Sequence, residues 1–128
     1  MPEQHLFEYA IIRIVPRVER EEFINAGVVV YCARLKFLKA MVLLDEQRLQ
    51  VFSCGMPLAD LGDYLNALSA ICDGNIDEGG PIARLPAGER FRWLTATRST
   101  VIQTSKVHPG FCTDPAEALQ HLFTQMVC

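Results

Sequence analysis

The sequence lacks the features that place a chain in a membrane or in a secretory pathway. None of its apolar runs approaches the roughly 20 residues needed to cross a bilayer. The segment Met1 to Glu8 has no basic-then-apolar signal pattern. The net charge of −3 argues against bulk electrostatic binding of nucleic acid or of an anionic membrane. We therefore expect a cytoplasmic globular protein with neither of these as a partner.

Cysteine pairs of the C-x-x-C type are also missing. The chain has five cysteines, an odd number. Cys32 and Cys72 each lie at the end of an apolar segment, which indicates small buried hydrophobic residues in a reducing compartment. The spacing His108-x3-Cys112 resembles half of a metal site, but no second ligand pair accompanies it. No metal site is predicted.

Motifs for nucleophilic catalysis and for phosphate cradles are absent as well. Gly79-Gly80-Pro81 lacks the lysine and the spacing of a P-loop. His108 has a serine upstream, such as Ser105, and Asp114 downstream, but no G-x-S-x-G sequence frames them. Asp114 also fits the role of a helix cap. These absences predict neither a cofactor nor a catalytic triad.

The first half of the chain predicts antiparallel strands. Phe7–Val15 is apolar on both of its alternating faces, which is typical of a central strand covered on both sides. Asn25-Ala26-Gly27 has the composition of a turn. The strands Gly27–Cys32 and Phe37–Leu44 are joined by a connection so short that they form a hairpin.

The rest of the chain predicts mostly helices. These are Leu58–Cys72, Pro86–Leu94, a last helix that starts with Asp114 and Pro115, and a short helix at Asp45–Val51. Between them, Asn75–Pro81 is predicted as a loop, Thr100–Ser105 as a strand, and Pro109-Gly110 as a turn.

Together these elements predict one α+β domain over residues 1–128. Its mainly antiparallel sheet has about four strands, in the order β-β-β-α-α-β-α, and is covered by two or three helices. The helices are expected to pack on one broad apolar face of the sheet.

Charge is unevenly distributed and suggests where a ligand could bind. Asp45–Glu78 has seven acidic residues and one basic residue, a net charge of −6, whereas Arg84–His108 has five basic residues and one acidic residue, a net charge of +4. Arginines among hydroxyl side chains bind phosphate or carboxylate. The alternative is a solvated face with salt bridges to the acidic segment.

Individual residues leave similar alternatives open. Arg13, inside an apolar strand, needs a partner, which could be a carboxylate such as Glu22 or a substrate anion. Trp93, among alternating arginines and aromatics, could stack on a partner, or the segment could simply bury Phe91 and Leu94. The candidate binding residues are Arg13, Arg90, Arg92, Trp93, Arg98, Ser99 and His108.

Several spaced motifs carry a family resemblance. Tyr9-x3-Arg13-x2-Pro16 and Arg20-x4-Asn25-x-Gly27-Val28-Val29 resemble the opening of a small bacterial family catalogued as domain of unknown function 3037. Later segments are similar to its second half: Arg90-Phe91-Arg92-Trp93-Leu94-Thr95, Arg98-Ser99-Thr100, His108-Pro109-Gly110 and Asp114-Pro115. The resemblance implies no activity. Genes of this family often stand beside genes for HipA-like kinases, which implies such a kinase as a partner.

Two functional hypotheses follow. The first is a non-catalytic interaction module with an exposed patch around Arg90, Trp93 and Arg98, accessory to a kinase-like partner. The second is a small enzyme, or a nucleotide-processing protein, that acts on a phosphorylated ligand held in a cleft by Arg13, Arg98, Ser99 and His108. We favour the module, because no catalytic motif is present.

Overall fold

The structure is a computed structural model that describes residues 3–15, 23–45, 58–96 and 102–127. Within these residues the chain forms five strands, four α-helices and one short 3-10 helix. The strands are β1 (His5–Ile14), β2 (Ile24–Cys32), β3 (Phe37–Val42), β4 (Ile102–Thr104) and β5 (His108–Cys112). The α-helices are α1 (Leu58–Asp73), α2 (Ile76–Gly79), α3 (Ala87–Thr95) and α4 (Pro115–Met126), and the 3-10 helix is Pro81–Arg84. The predicted α+β class is confirmed.

The sheet is antiparallel and β1 is its central strand, as predicted. β2 pairs with one edge of β1, and β3 pairs with the far side of β2 to form the predicted hairpin. The other edge of β1 is shared by two short strands. β4 pairs with the C-terminal half of β1 and β5 with the N-terminal half, from Ile12↔Thr104 to His5↔Cys112.

Helices pack on both faces of the sheet, so the expectation of one covered face was wrong. On the first face, Ile12 and Ile14 of β1 belong to a core with Leu61 of α1 and Phe91 of α3. We call this the α1–α3 face. On the second, the α4 face, Leu119 of α4 belongs to a separate core cluster with other side chains of β1 and β2. Because both sides of β1 are apolar, each side is stabilised by its own helical cover.

β2 begins earlier than predicted and contains a bulge. Asn25, Ala26 and Gly27 lie inside the strand rather than in a turn. Ile12 pairs with Gly27 and Arg13 with Asn25, so that Ala26 is the extra residue on β2. The small and polar residues that resemble a turn in the sequence therefore accommodate a change of register between two strands.

Two further segments differ from the prediction. Pro109 and Gly110 form part of β5 rather than a turn; Pro109 fits there because β5 is an edge strand among the described residues, where a missing N–H is tolerated. Within the predicted loop, Ile76–Gly79 forms α2, whose first turn is capped by the side chain of Asn75. The predicted helix at Asp45–Val51 falls, except for Asp45, outside the described residues.

The predicted ends of the longer helices are confirmed. Gly74 follows α1 with a φ of 73°, the left-handed conformation that ends many helices. At the start of α4, Oδ1 of Asp114 accepts a hydrogen bond from the amide of Ala116 at 3.0 Å, and Pro115 occupies the first turn. Among the described helices, none has the length and apolar character of a membrane span.

Candidate functional site

Arg90 is half-buried and is held in place by hydrogen bonds. Its Nε donates to the carbonyl oxygen of Leu85 at 2.9 Å, and its Nη1 donates to the carbonyl oxygens of Ile71 and Cys72, both at 2.8 Å. The two latter carbonyls belong to the last turn of α1, where unpaired C=O groups favour a cation. The side chain predicted to bind a ligand thus caps one helix and ties α3 to it.

The neighbours of Arg90 on α3 divide into a buried and an exposed set. Phe91 and Leu94 are buried in the core, the simpler of the two interpretations of this segment. Arg92 is exposed, and Trp93 is 38% exposed. Both therefore belong to the outer surface of the α1–α3 side.

Arg13 lies on the opposite face of the sheet. Side chains alternate along a strand, and Ile12 and Ile14 point into the core of the α1–α3 face, so Arg13 is on the α4 face. Its guanidinium carbon lies 4.1 Å from the ring centroid of Phe23. The Nε atom is buried and has no hydrogen-bond partner in the described part of the chain. Glu22, the expected carboxylate partner, is outside the described residues.

His108 is the first residue of β5 and lies next to Tyr9. The two residues are paired across the strands, and their ring centroids are 5.3 Å apart. Tyr9 is four residues before Arg13, so the two side chains share the α4 face. We call Tyr9, Arg13 and His108 the β1 strip. Asn25 pairs with Arg13, and its Nδ2 donates to the carbonyl oxygen of Met126 at 2.9 Å, which joins this end of the strip to α4.

The seven predicted binding residues do not form one surface in the described part of the molecule. Arg90, Arg92 and Trp93 belong to the α1–α3 side, whereas Arg13 and His108 belong to the α4 face, with the sheet between them. Arg98 and Ser99 lie outside the described residues. Tyr9 was not among the candidates, although its spacing from Arg13 in a predicted strand already placed both on one face.

Two of the residues considered for catalysis, Ser105 and Asp114, have structural roles. Oγ of Ser105 accepts a hydrogen bond from the amide of Ile11 at 2.9 Å and donates to the carbonyl oxygen of Lys106 at 2.9 Å. Asp114 caps α4. Burial, with a smaller contribution from the charge of Asp73, raises the pKa of the Cys72 thiol to about 12, so at neutral pH it is not a thiolate nucleophile.

The described residues contain no cluster of three or more potential metal ligands. One open groove runs along α1 and α2 and has an acidic lining: Asp63, Asn66, Ala67, Ser69, Ala70, Asp73, Asn75 and Glu78. The groove includes none of the seven candidates. It therefore does not form the cleft that the enzyme hypothesis requires.

Two large apolar side chains are exposed side by side where β5 pairs with β1. Leu6 is 55% exposed and Phe111 is 69% exposed, and the two are direct cross-strand partners. We call them the edge pair. Leu6 shares its side of β1 with Ile12, so the edge pair lies on the α1–α3 side of the sheet.

Comparison with known proteins gives a family but no function. Neither the curated proteins nor the solved structures include a significant match to the chain. Residues 9–127 match the family described as "Protein of unknown function (DUF3037)". The match starts at Tyr9, the first residue of the β1 strip, and continues through α4 to Val127, so it includes nearly every element described above. The chain therefore belongs to this DUF3037 family.

Proposed function

We propose that this protein is a non-catalytic interaction module and that the edge pair is its docking surface for a protein partner. The observation that carries this proposal is the side-by-side exposure of Leu6 and Phe111. Single exposed apolar residues are ordinary, whereas contiguous ones mark interaction sites. Burying each of these side chains in an interface contributes about 1.5–3 kcal/mol.

The position of the pair in the sheet also supports docking. In the described part of the chain β5 pairs with β1 alone, so its other side is an open strand edge. Such an edge presents backbone groups that a partner can pair with. The partner proposed is a HipA-like kinase, on the basis of the gene neighbourhood of the family.

The enzyme hypothesis has weaker support. It needs a concave site around Arg13, Arg98, Ser99 and His108. The two of these that are described, Arg13 and His108, belong to one side of an open sheet, and Ser105 nearby is engaged by the backbone. Open surfaces with apolar side chains are typical of protein contacts rather than of catalysis.

The test is quantitative co-purification from the native host. The double variant Leu6→Gln, Phe111→Gln is compared with Tyr64→Gln, a control that removes another exposed aromatic, 59% exposed on α1. We expect the amount of HipA-like kinase that co-purifies with the double variant to be lower than with wild type by about tenfold or more. The reason is that buried apolar side chains dominate the binding energy of interfaces. The control should retain as much as wild type, and thermal unfolding should show all three chains folded.

Two results would count against the proposal in different ways. Equal retention of the kinase by the double variant and wild type removes the edge pair as the docking surface. Retention of no kinase by wild type, with another protein lost from the double variant, corrects the partner and keeps the surface.

A further inference from the structure

A second surface, on the α4 face, has the chemistry of an anion site. The guanidinium of Arg13 lies 4.1 Å from the Phe23 ring centroid, and Phe23 remains 45% exposed. An aromatic ring beneath a guanidinium holds the planar group in one orientation and leaves its N–H donors directed sideways. Arg13 is therefore oriented before any ligand arrives.

The buried Nε donor of this guanidinium has no hydrogen-bond partner among the described residues. Buried polar groups are nearly always hydrogen-bonded, and one that is not calls for an explanation. Nε of Arg13 is such a group, and no ion pair joins Arg13 to a described carboxylate. Arg90 shows the contrast, since it donates to three carbonyl oxygens.

Aromatic side chains lie along the same face. Tyr9 is half-buried and packs against the exposed His108 ring. Four residues of extended strand separate Tyr9 from Arg13, about 13 Å between their Cα atoms. The guanidinium of Arg13 instead contacts Phe23, which precedes the Ile24 partner of Ile14 and so lies toward the end of β1 away from Tyr9. A small ligand with its anionic group at Arg13 can thus place a ring near Phe23, whereas Tyr9 and His108 lie farther along the face.

We infer that the Arg13 end of the β1 strip, together with Phe23, binds a small phosphorylated ligand that carries an aromatic ring, such as a nucleoside monophosphate. Arg13 binds the phosphoryl oxygens through charge-assisted hydrogen bonds. The exposed aromatic rings can stack on the ring of such a ligand, a contact that a bare phosphate ion cannot make. This inference does not rest on the proposed docking function, because the edge pair is on the opposite side of the sheet.

The first test is an NMR titration of the isotope-labelled wild-type chain. Inorganic phosphate, adenosine monophosphate and chloride are added separately at matched ionic strength. We expect both phosphates to shift the resonances of Arg13 and Phe23, with dissociation constants on the order of millimolar or below, and the nucleotide to bind more tightly. Chloride should leave these resonances in place. Equal shifts at exposed cations such as Arg84 would overturn the inference.

The second test uses variants of Arg13. Arg13→Gln should weaken nucleotide binding about tenfold or more. Arg13→Lys keeps the charge but loses the planar guanidinium, so its affinity should lie between those of wild type and Arg13→Gln. Arg84→Gln, which removes an exposed arginine of the 3-10 helix, should bind like wild type. If Arg13→Gln fails to fold, Arg13→Lys decides. Reduced thermal stability with unchanged affinity would instead assign Arg13 a purely structural role, such as pairing with Glu22.

Discussion

Arg13 and Arg90 are both arginines, but their hydrogen-bonding environments differ. Arg90 reaches the end of α1, where two carbonyl oxygens accept its hydrogen bonds, and it donates a third to the carbonyl oxygen of Leu85. Arg13 reaches the face of an aromatic ring and forms no hydrogen bond from its buried Nε to the described residues. The first arginine joins two helices, and we propose that the second binds a ligand. Residue type alone does not distinguish these roles, because acceptors from distant parts of the chain decide them.

Gly27 shows a requirement for space rather than for an unusual backbone. Its φ is not positive; the described glycines with positive φ are Gly74 and Gly80. A Cβ at Gly27 would lie 2.5 Å from the carbonyl oxygen of Met41 and 3.0 Å from Cγ1 of Val42, both on the paired strand β3. The close approach of β3 thus leaves no space for a larger residue at position 27.

Replacing Gly27 by alanine should therefore destabilise the protein. Because the clash involves a backbone oxygen, β2 and β3 have to separate, and we expect a loss of about 1–3 kcal/mol in urea unfolding. The control is Gly62→Ala in α1, where the nearest atom is 3.9 Å away and the helix should gain about 0.5–1 kcal/mol. A Gly27→Ala variant as stable as wild type would contradict this, because it would show that β2 and β3 can move apart without a loss in the free energy of unfolding.

At the scale of elements, β4 and β5 act together as one interrupted edge strand. Ser105 lies between them and replaces a regular ladder bond: its Oγ accepts from the amide of Ile11, while its own amide donates to the carbonyl oxygen of Ile11 at 2.8 Å. This interruption explains why β5 was missed. Pro109 and Gly110 weaken any strand pattern, and only the pairing with β1 makes the segment extended.

The contact between α1 and α3 depends on Arg90. Arg90→Gln removes the charged donors from the carbonyls of α1, and we expect a loss of about 1.5–3 kcal/mol in unfolding free energy. Arg90→Lys should restore little, because an ammonium cannot match the fork of the guanidinium. Arg92→Gln, two residues away and exposed, should change stability by less than about 0.5 kcal/mol. Equal losses for Arg90→Gln and Arg92→Gln would contradict the capping role.

At the scale of the molecule, local sequence patterns predicted the elements better than their arrangement. The apolar faces of Phe7–Val15 predicted a central strand, and Asp114-Pro115 predicted the start of α4. Which face each helix covers depends on contacts between distant segments, and these have no local signature. For the same reason the sequence did not predict that Arg90 and Arg13 lie on opposite sides of the sheet, because the distribution of charge along the chain does not indicate which side a residue occupies.

The molecule thus has two distinct surfaces. The edge pair on the α1–α3 side is apolar, and the β1 strip on the α4 face is cationic and aromatic. A partner protein and a phosphorylated ligand can occupy them together, since the sheet lies between. Of the two, we propose that the edge pair is where a partner protein docks.

Docking at the edge pair can be measured by hydrogen exchange of the chain, alone and in complex with the co-purified kinase. Amides in an interface exchange more slowly when the partner is bound, because opening the strand edge then requires dissociation. If a protein docks at the edge pair, exchange in His108–Cys112 and around Leu6 is slower in the complex, with little change at Arg92 and Trp93. Slower exchange confined to α3, with β5 unchanged, would contradict it.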